Sequence, residues 1–390
     1  MNERLVFDSD SKLDELIAFR HELHRLPETG FDVSTTASRL GDRLAAAGLT
    51  VTTNVGGTGL VATLKRGHSS RTIGLRADMD ALPITEKNAF KHRSTVDSKF
   101  HGCGHDGHST MLLGAALCLA ARGGFDGQIQ FVFQPDEENG RGAQAMIDDG
   151  LFERFPMDAI FGLHNLPGMP VGRFATQVGP FTAFEERFEI EIQGKGGHSS
   201  TPEKTIDPMI AGAEIVLALQ NIVARSVSPR VHGVVSVTEF IADGARNIIP
   251  SSVVIRGDAR GYIDEVSAII KRRMHEIVTG IAAAYGAHST LRYVREFESV
   301  VNTKVGVDAV ANAVNQVDGA NINIDYGRVG FSEDFAQFLR HRPGCFVLMG
   351  NGVDGAYSTP LHNPHYDFND AALSYGVEFW CQLVLQRLSK

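Results

Sequence analysis

Hydrophobic positions along the chain follow two different rhythms. Leu13, Leu16, Ile17 and Leu23 recur at helical spacing and stop before Pro27, and a second helix is expected over 34–47, closed by Gly48. Strand-like runs follow at 50–53, 60–64 and 72–77. A helix over 109–122 ends at Gly123-Gly124, and then come a strand at 128–133, a helix at 143–148 and a strand at 158–163. Strands alternating with helices predict an α/β fold with a mostly parallel sheet covered on both faces.

Past residue 181 the rhythm changes. Phe188, Ile190 and Ile192 alternate with Glu189, Glu191 and Gln193, so one face of this strand is wet. A helix over 208–224, strands at 234–240 and 253–259, a helix over 265–285 and a strand at 289–294 complete a β-α-β-β-α-β set, the pattern of a ferredoxin-like module. The first rhythm returns near Thr303, with a helix over 307–315 and a buried strand at 345–350. The expected organisation is one domain built from 1–180 and 296–390, with a second inserted at 181–295. A chain of 390 residues is also more comfortable with two cores than with one.

Composition narrows the function classes. Apolar residues make up 43% and charged residues 21%, as in an ordinary soluble protein. The net charge of -9, with no basic stripe against it, argues against a nucleic-acid partner and against adhesion to an anionic membrane. Residues 1–14 are polar and acidic, without the apolar core of a secretory leader. No apolar run approaches the roughly 18 residues that span a bilayer. Cys103, Cys118, Cys345 and Cys381 are too widely spaced for a disulfide framework, so a reducing compartment, the cytoplasm, is expected. The half-wet sheet of the inserted module leaves edges that proteins usually cover, which predicts a homodimer through that module.

Candidate chemistry concentrates at strand ends. His101-Gly102-Cys103-Gly104-His105-Asp106-Gly107-His108 sets thiolate and imidazole donors among glycines that let Cys103 and His105 face one centre. A histidine-rich surface turn is the plainer explanation of this loop alone. The strand at 128–133 runs into Gln134-Pro135-Asp136-Glu137-Glu138, the strand at 158–163 delivers His164, and the strand at 72–77 ends in Asp78-Met79-Asp80. Ligands of open parallel sheets bind outside the carboxyl ends of strands. Leu361-His362-Asn363-Pro364-His365 adds a donor in a proline-framed loop. Adjacent acids usually mark a solvated turn, but a buried strand leading into Glu137-Glu138 makes unpaired charge costly there. Neighbouring side chains diverge, so one acid can hold an ion while the other handles water, as metal-assisted hydrolysis requires. Gly56-Gly57-Thr58-Gly59 lacks the lysine of a phosphate loop and reads as a turn.

These stretches, with Leu75-Arg76-Ala77-Asp78-Met79-Asp80-Ala81-Leu82-Pro83, Gly194-Lys195-Gly196-Gly197-His198 and His362-Asn363-Pro364, resemble in order the amidohydrolase branch of the dinuclear metallopeptidases. That branch includes hippurate hydrolases, bacterial aminoacylases and plant auxin–amino-acid conjugate hydrolases. The resemblance implies a catalytic domain of zinc-exopeptidase type with a ferredoxin-like α+β lid and dimerisation domain. It implies two divalent ions (zinc, manganese, cobalt or nickel) held by Cys103, His105, Glu138, His164 and His362. Glu137 falls at the general base, and Asp80 and Asp106 at positions that orient the ligand histidines. His198 would reach the partner subunit's site and stabilise an oxyanion. Asn247 and Arg260 would bind polar groups of a small N-acyl amino acid. In many relatives outside the branch a histidine stands at Asp78 and an aspartate bridges the ions; here cysteine takes that load. Hippurate-type members often carry histidine where this chain has Glu203.

The same scaffold also serves dipeptidases, carbamoyl-amino-acid hydrolases and aromatic-amine aminohydrolases, and a silent metal- or peptide-binding protein is the alternative from another class. A zinc deaminase is disfavoured because no Pro-Cys-x-x-Cys occurs. The metal-centre reading requires Cys103 and His362 to meet within about a dozen ångströms, given bond lengths near 2 Å.

Overall fold

The computed structural model describes residues 10–390, so the leader-like features sought in residues 1–9 lie outside the described residues. The chain divides into two compact units, Met1–Phe181 with Val300–Arg328 and Asp334–Lys390, and Thr182–Ser299 with Val329–Glu333. The boundaries differ by a few residues from those expected. The short return 329–333 clusters with the second unit, a tertiary association that periodicity along the chain does not encode.

The first unit holds an eight-stranded sheet in the order Thr50–Val55, Gly59–Arg66, Gly127–Gln134, Thr72–Asp78, Ile160–Pro167, Gly344–Gly352, Arg173–Ala175, Asn321–Asn323. The four central strands, Gly127–Gln134 through Gly344–Gly352, are mutually parallel, whereas the first two form an antiparallel hairpin through Gly56-Gly57-Thr58. Burial explains their composition. Ile73, Leu75, Ala77, Ile129, Phe131, Phe133, Phe161, Leu163 and Val347 are all inaccessible, so these strands read as continuous apolar runs. Because they are parallel, the residues after Asp78, Gln134 and Leu163 emerge at one edge.

Helices Asp10–Arg25, Ser34–Ala46, His105–Arg122, Lys304–Val314 and Ala371–Arg387 share one core with this sheet. Helix His105–Arg122 begins four residues earlier than periodicity predicts. Gly104, at φ 92°, turns the chain into it, and its first turn is the polar His105-Asp106-Gly107-His108, which hides it from a hydrophobic pattern. The helix Ala371–Arg387 gives no sequence signal of its own. It is apolar nearly all round, with Leu373, Val377, Phe379, Trp380, Leu383 and Val384 buried, so no stripe stands out.

In the second unit an antiparallel sheet runs Gly233–Ala242, Ser252–Gly261, Phe184–Gln193, His288–Phe297, packed with helices Pro208–Asn221 and Asp264–Ala284. This is the strand order of a ferredoxin-like fold. Phe184, Phe188, Ile190 and Ile192 enter its core, while Arg187 and Gln193 stay wet and Glu189 and Glu191 are half-buried. One expectation needs correction: Pro208–Ser226 is 19 residues long, with a mean hydropathy of 1.2, enough by length and composition to cross a membrane. It contains Glu214, Gln220 and Arg225, and its buried side, Ala211, Ile215, Leu219 and Ile222, packs in the core of this unit.

Glycine sets the spacing between helices of the first unit. A Cβ at Gly114 would lie 2.7 Å from Val377 Cγ2 and 2.8 Å from Leu16 Cδ1. Gly114→Leu is expected to cost about 1–3 kcal/mol of stability through overpacking, read as a lower urea midpoint. An unchanged midpoint would show that these helices are not in such close contact.

Candidate metal centre

Three strand ends build the site, and one aspartate ties two of them to the helix that carries His105. After strand Thr72–Asp78 the chain places Asp80, fully buried, beside Glu137 and His105. The Asp80 carbonyl is 2.7 Å from His105 Nδ1 and accepts its proton, which makes Nε2 the ring nitrogen available to a metal once its own proton leaves. The Asp80 carboxylate accepts the backbone N–H groups of Glu137 (3.1 Å) and Glu138 (3.2 Å). Asp136, just past strand Gly127–Gln134, has φ 49°, a left-handed turn that swings Glu137 and Glu138 off the strand line. Its carboxylate is held by Asn139 and by Arg141 Nε.

His164, inside strand Ile160–Pro167, gives its Nδ1 proton to the Asn165 carbonyl at 2.7 Å, and its Nε2 faces Cys103 Sγ at 3.4 Å. Asn165 Nδ2 donates to the Cys103 carbonyl at 2.6 Å, and Asn165 Oδ1 accepts from Tyr366 Oη at 2.8 Å. A Cβ at Gly104 would lie 2.4 Å from Asn165 Nδ2, so glycine is required there twice over, by space and by φ. His362 also sits at positive φ, 65°, with its N–H on the Gly102 carbonyl at 2.9 Å and Nε2 3.4 Å from Glu138 Oε2. Backbone strain of this kind concentrates at functional positions.

The five sequence-predicted donors meet. Ligand atoms of Cys103, His105 and His164 lie within 4.8 Å of one another, as do those of Cys103, Glu138 and His362, and those of His105, Glu137 and Glu138. Cys103 and His362, far apart in the chain, are therefore neighbours. Two donor triplets that share one thiol are suited to two ions: bonds of about 2.0–2.3 Å set tetrahedral donors roughly 3.3–3.8 Å apart.

Electrostatics supports the same fit. His105 Nε2 and Glu138 Oε1 are buried and have no hydrogen-bond partner, an arrangement that is costly unless a cation completes it. Burial lifts the Glu138 carboxyl to about 7 against the pull of His105. Burial opposes charge on His105, yet Asp78, Asp80 and Glu138 together raise it to about 10. Burial holds His164 well below the ordinary histidine range; burial and then His105 lower His362, so both rings are neutral donors. Burial, then Glu138, Glu137 and Asp78, push the Cys103 thiol well up. A site that draws a proton onto His105 and resists a thiolate calls for positive charge at its centre.

Several positioning residues carry no sequence signal strong enough to single them out. Arg76, completely buried, binds Asp78 at 2.7 Å, Gln134 at 2.8 Å and Asp334 at 3.2 Å. Asp78 also takes the His108 Nδ1 proton at 2.7 Å, and His108 Nε2 accepts the Asn165 N–H at 3.0 Å. Asp78, His105 and His108 lie close enough to resemble a ligand set, but Asp78 and His108 are committed to these bonds. Asp106 differs from its expected role of orienting a ligand histidine. Its carboxylate accepts from His24 at 2.8 Å and Arg20 at 3.3 Å, so it ties the start of helix His105–Arg122 to helix Asp10–Arg25. His101 is buried and outside the donor set, and burial lowers it to about 3.

In the second unit, short strands Gly197–His198 and Ile248–Ile249 pair, and Ser199 N–H donates to the Asn247 carbonyl at 3.1 Å, bringing His198 and Asn247 side by side. His198 Nδ1 accepts from the Ser200 hydroxyl at 2.8 Å. Arg260 is otherwise engaged: its Nη2 binds Glu185 and its Nε binds Asp258, each at 2.7 Å, so its fork is not open to a substrate carboxylate.

Comparison with known proteins converges on one family. The model of peptidase family M20/M25/M40 matches residues 74–386. Hippurate hydrolase of Campylobacter jejuni is 37% identical over 375 residues, covering 96% of this chain and 97% of that protein. N-acetylcysteine deacetylase of Bacillus subtilis is 33% identical over 373 residues, covering 95% and 96%. The crystal structure of Bacillus subtilis YXEP protein, a dinuclear metal binding peptidase from the M20 family, superposes with a TM-score of 0.85 at 30% identity, covering 97% of this chain and 99% of that one.

Because binding must displace a proton from His105, affinity for a divalent ion is expected to fall at least about a hundredfold between pH 8 and pH 6. Competition against a chromophoric chelator measures this, and pH-independent affinity would exclude His105 Nε2 as a donor. Glu138→Ala is expected to lower bound metal per chain, by elemental analysis of dialysed protein, to half or less.

Proposed function

The chain belongs to peptidase family M20/M25/M40 and is a metal-dependent amidohydrolase; from that premise we propose that it cleaves the amide bond of small N-acyl amino acids. The convergence of Cys103, His105, Glu138, His164 and His362 beside the buried acid Glu137 carries this reading. Hippurate and N-acetylcysteine, which name two relatives, are both N-acyl amino acids.

Those five residues would hold two divalent ions, which when bound supply Lewis acidity and lower the pKa of water. Glu137 is 6% exposed and its backbone N–H is fixed on Asp80, so its carboxylate is presented from a rigid turn. It takes a proton from the attacking water and afterwards returns that proton to the leaving amine. His198, with Nδ1 engaged by Ser200, is oriented to stabilise the developing oxyanion through Nε2, and Asn247 beside it binds polar groups of the substrate.

The second unit pairs copies of the chain in this proposal, and His198 serves the partner subunit. The outer strand Gly233–Ala242 exposes Val234, Phe240 and Ile241, and helix Pro208–Asn221 exposes Met209, Ile210 and Leu217, the last at 73%. An unpaired edge beside six exposed apolar side chains is a self-association surface.

Glu137→Gln is expected to retain metal and lose about 10²–10⁴ in kcat; turnover near wild type would remove Glu137 from the base role. A panel of N-acyl amino acids on metal-reconstituted protein should release the free carboxylic acid. Release of ammonia and carbon dioxide would instead mark a carbamoyl substrate. Light scattering should give twice the 42.3 kDa chain mass, and a fully active monomer would refute both the interface and the service of His198 in trans.

A further inference from the structure

Two thiols outside the metal centre touch. Cys118, in the last turns of helix His105–Arg122, is half-buried, and Cys381, on helix Ala371–Arg387, is 1% exposed; the two share a hydrogen bond. Their helices run side by side in register. A Cβ at Gly376 would strike the Met111 sulfur at 2.0 Å, one at Gly114 would strike Val377, and Cys381 Sγ lies 3.9 Å from the Ala115 carbonyl. Helices that meet through glycine approach more closely than the usual 8–10 Å or so, which favours the Cα separation of about 4.4–6.8 Å that a disulfide requires.

Access is one-sided. Cys118 lines a cavity of about 430 Å³ floored by Leu16, Phe19, Leu113 and Leu117, with Arg43 and Arg122 among its lining residues. Cys381 is not among them. A small apolar oxidant can therefore reach Cys118 first, with cationic groups close to a forming thiolate. The hydrogen bond with Cys118, and then burial, hold the Cys381 thiol well above its ordinary pKa, so Cys381 is not the thiol that meets the oxidant first.

We propose that Cys118 and Cys381 form an oxidisable dithiol, a modification site for organic hydroperoxides that closes to an intramolecular disulfide. The Cys118 sulfur attacks the peroxide, the O–O bond breaks, and a sulfenic acid forms as the alcohol leaves. The Cys381 sulfur then attacks that sulfur, the S–S bond forms, and the sulfenic oxygen departs as water. Two thiols are oxidised by two electrons, and one peroxide bond is reduced by two. The cross-link fastens the helix whose first turn carries His105 to the C-terminal helix.

The test treats metal-loaded full-length protein with tert-butyl hydroperoxide, alkylates it under denaturing conditions, and maps peptides without reduction. The expected result is a linked pair of peptides containing Cys118 and Cys381. Titratable thiols should fall from four to two, and Tm should rise by several degrees, with dithiothreitol reversing both changes. Cys118→Ser, at the half-buried partner, should abolish the link while the chain stays folded by circular dichroism. Recovery of Cys118 and Cys381 as separately alkylated peptides overturns the proposal, as does Cys118 sulfinic acid alongside alkylated Cys381.

Discussion

One carboxylate organises this site. Asp80 accepts the N–H groups of Glu137 and Glu138 on its side chain, and its backbone carbonyl accepts the His105 proton. A single residue thereby fixes the acid proposed to handle the water, the acid proposed to hold an ion, and the tautomer of a ligand histidine. It can do so because strands Thr72–Asp78 and Gly127–Gln134 are adjacent and parallel, with Asp78 paired to Gln134, so both exit at the same level. The register of two strands therefore becomes the geometry of the centre.

That geometry gathers Cys103, Glu137, Glu138 and Asp78 in a space where each is nearly or wholly buried. Burying so many acidic groups would be untenable without compensation. The protein separates them into two classes. Asp78 is neutralised by its own chain, through Arg76 and His108. Cys103 and Glu138 are instead pushed toward their protonated forms, chiefly by burial. The first turn of helix His105–Arg122 lies between the two classes, with Asp106 anchored outward on His24 and Arg20 and His105 pointing inward.

Much of this was legible in the sequence because the chemistry sits where the pattern changes. An apolar strand that ends in Asp-Met-Asp, Pro-Asp-Glu-Glu or His announces a buried end carrying polar groups. The unread parts have physical reasons. Asn165 looks like an ordinary residue after a strand, yet it engages Cys103, His108, His164 and Tyr366 at once. Its bonds to His108, Cys103 and Tyr366 join segments 57 to 201 residues apart and leave no local trace. Arg260 erred in the other direction: an arginine on a strand suggested substrate, but the adjacent strand supplies Glu185 directly opposite it, a pairing visible only once register is known.

Asp78 shows how a buried carboxylate can brace a candidate metal centre through its neighbours. The Asp78 side chain is fully buried and bonded to Arg76 and His108. From His108 the connection continues to the Asn165 N–H, and from Asn165 to the Cys103 carbonyl and the His164 ring. Asp78 thus braces, through His108 and Asn165, the segments that carry Cys103 and His164. Cysteine is suited to its place because one soft, polarisable sulfur belongs to both donor triplets. The Gly102–Gly104 loop lets its backbone approach Asn165 closely enough to be clamped. The bonding network of Asp78 and the placement of Cys103 among the candidate donors are therefore parts of a single arrangement.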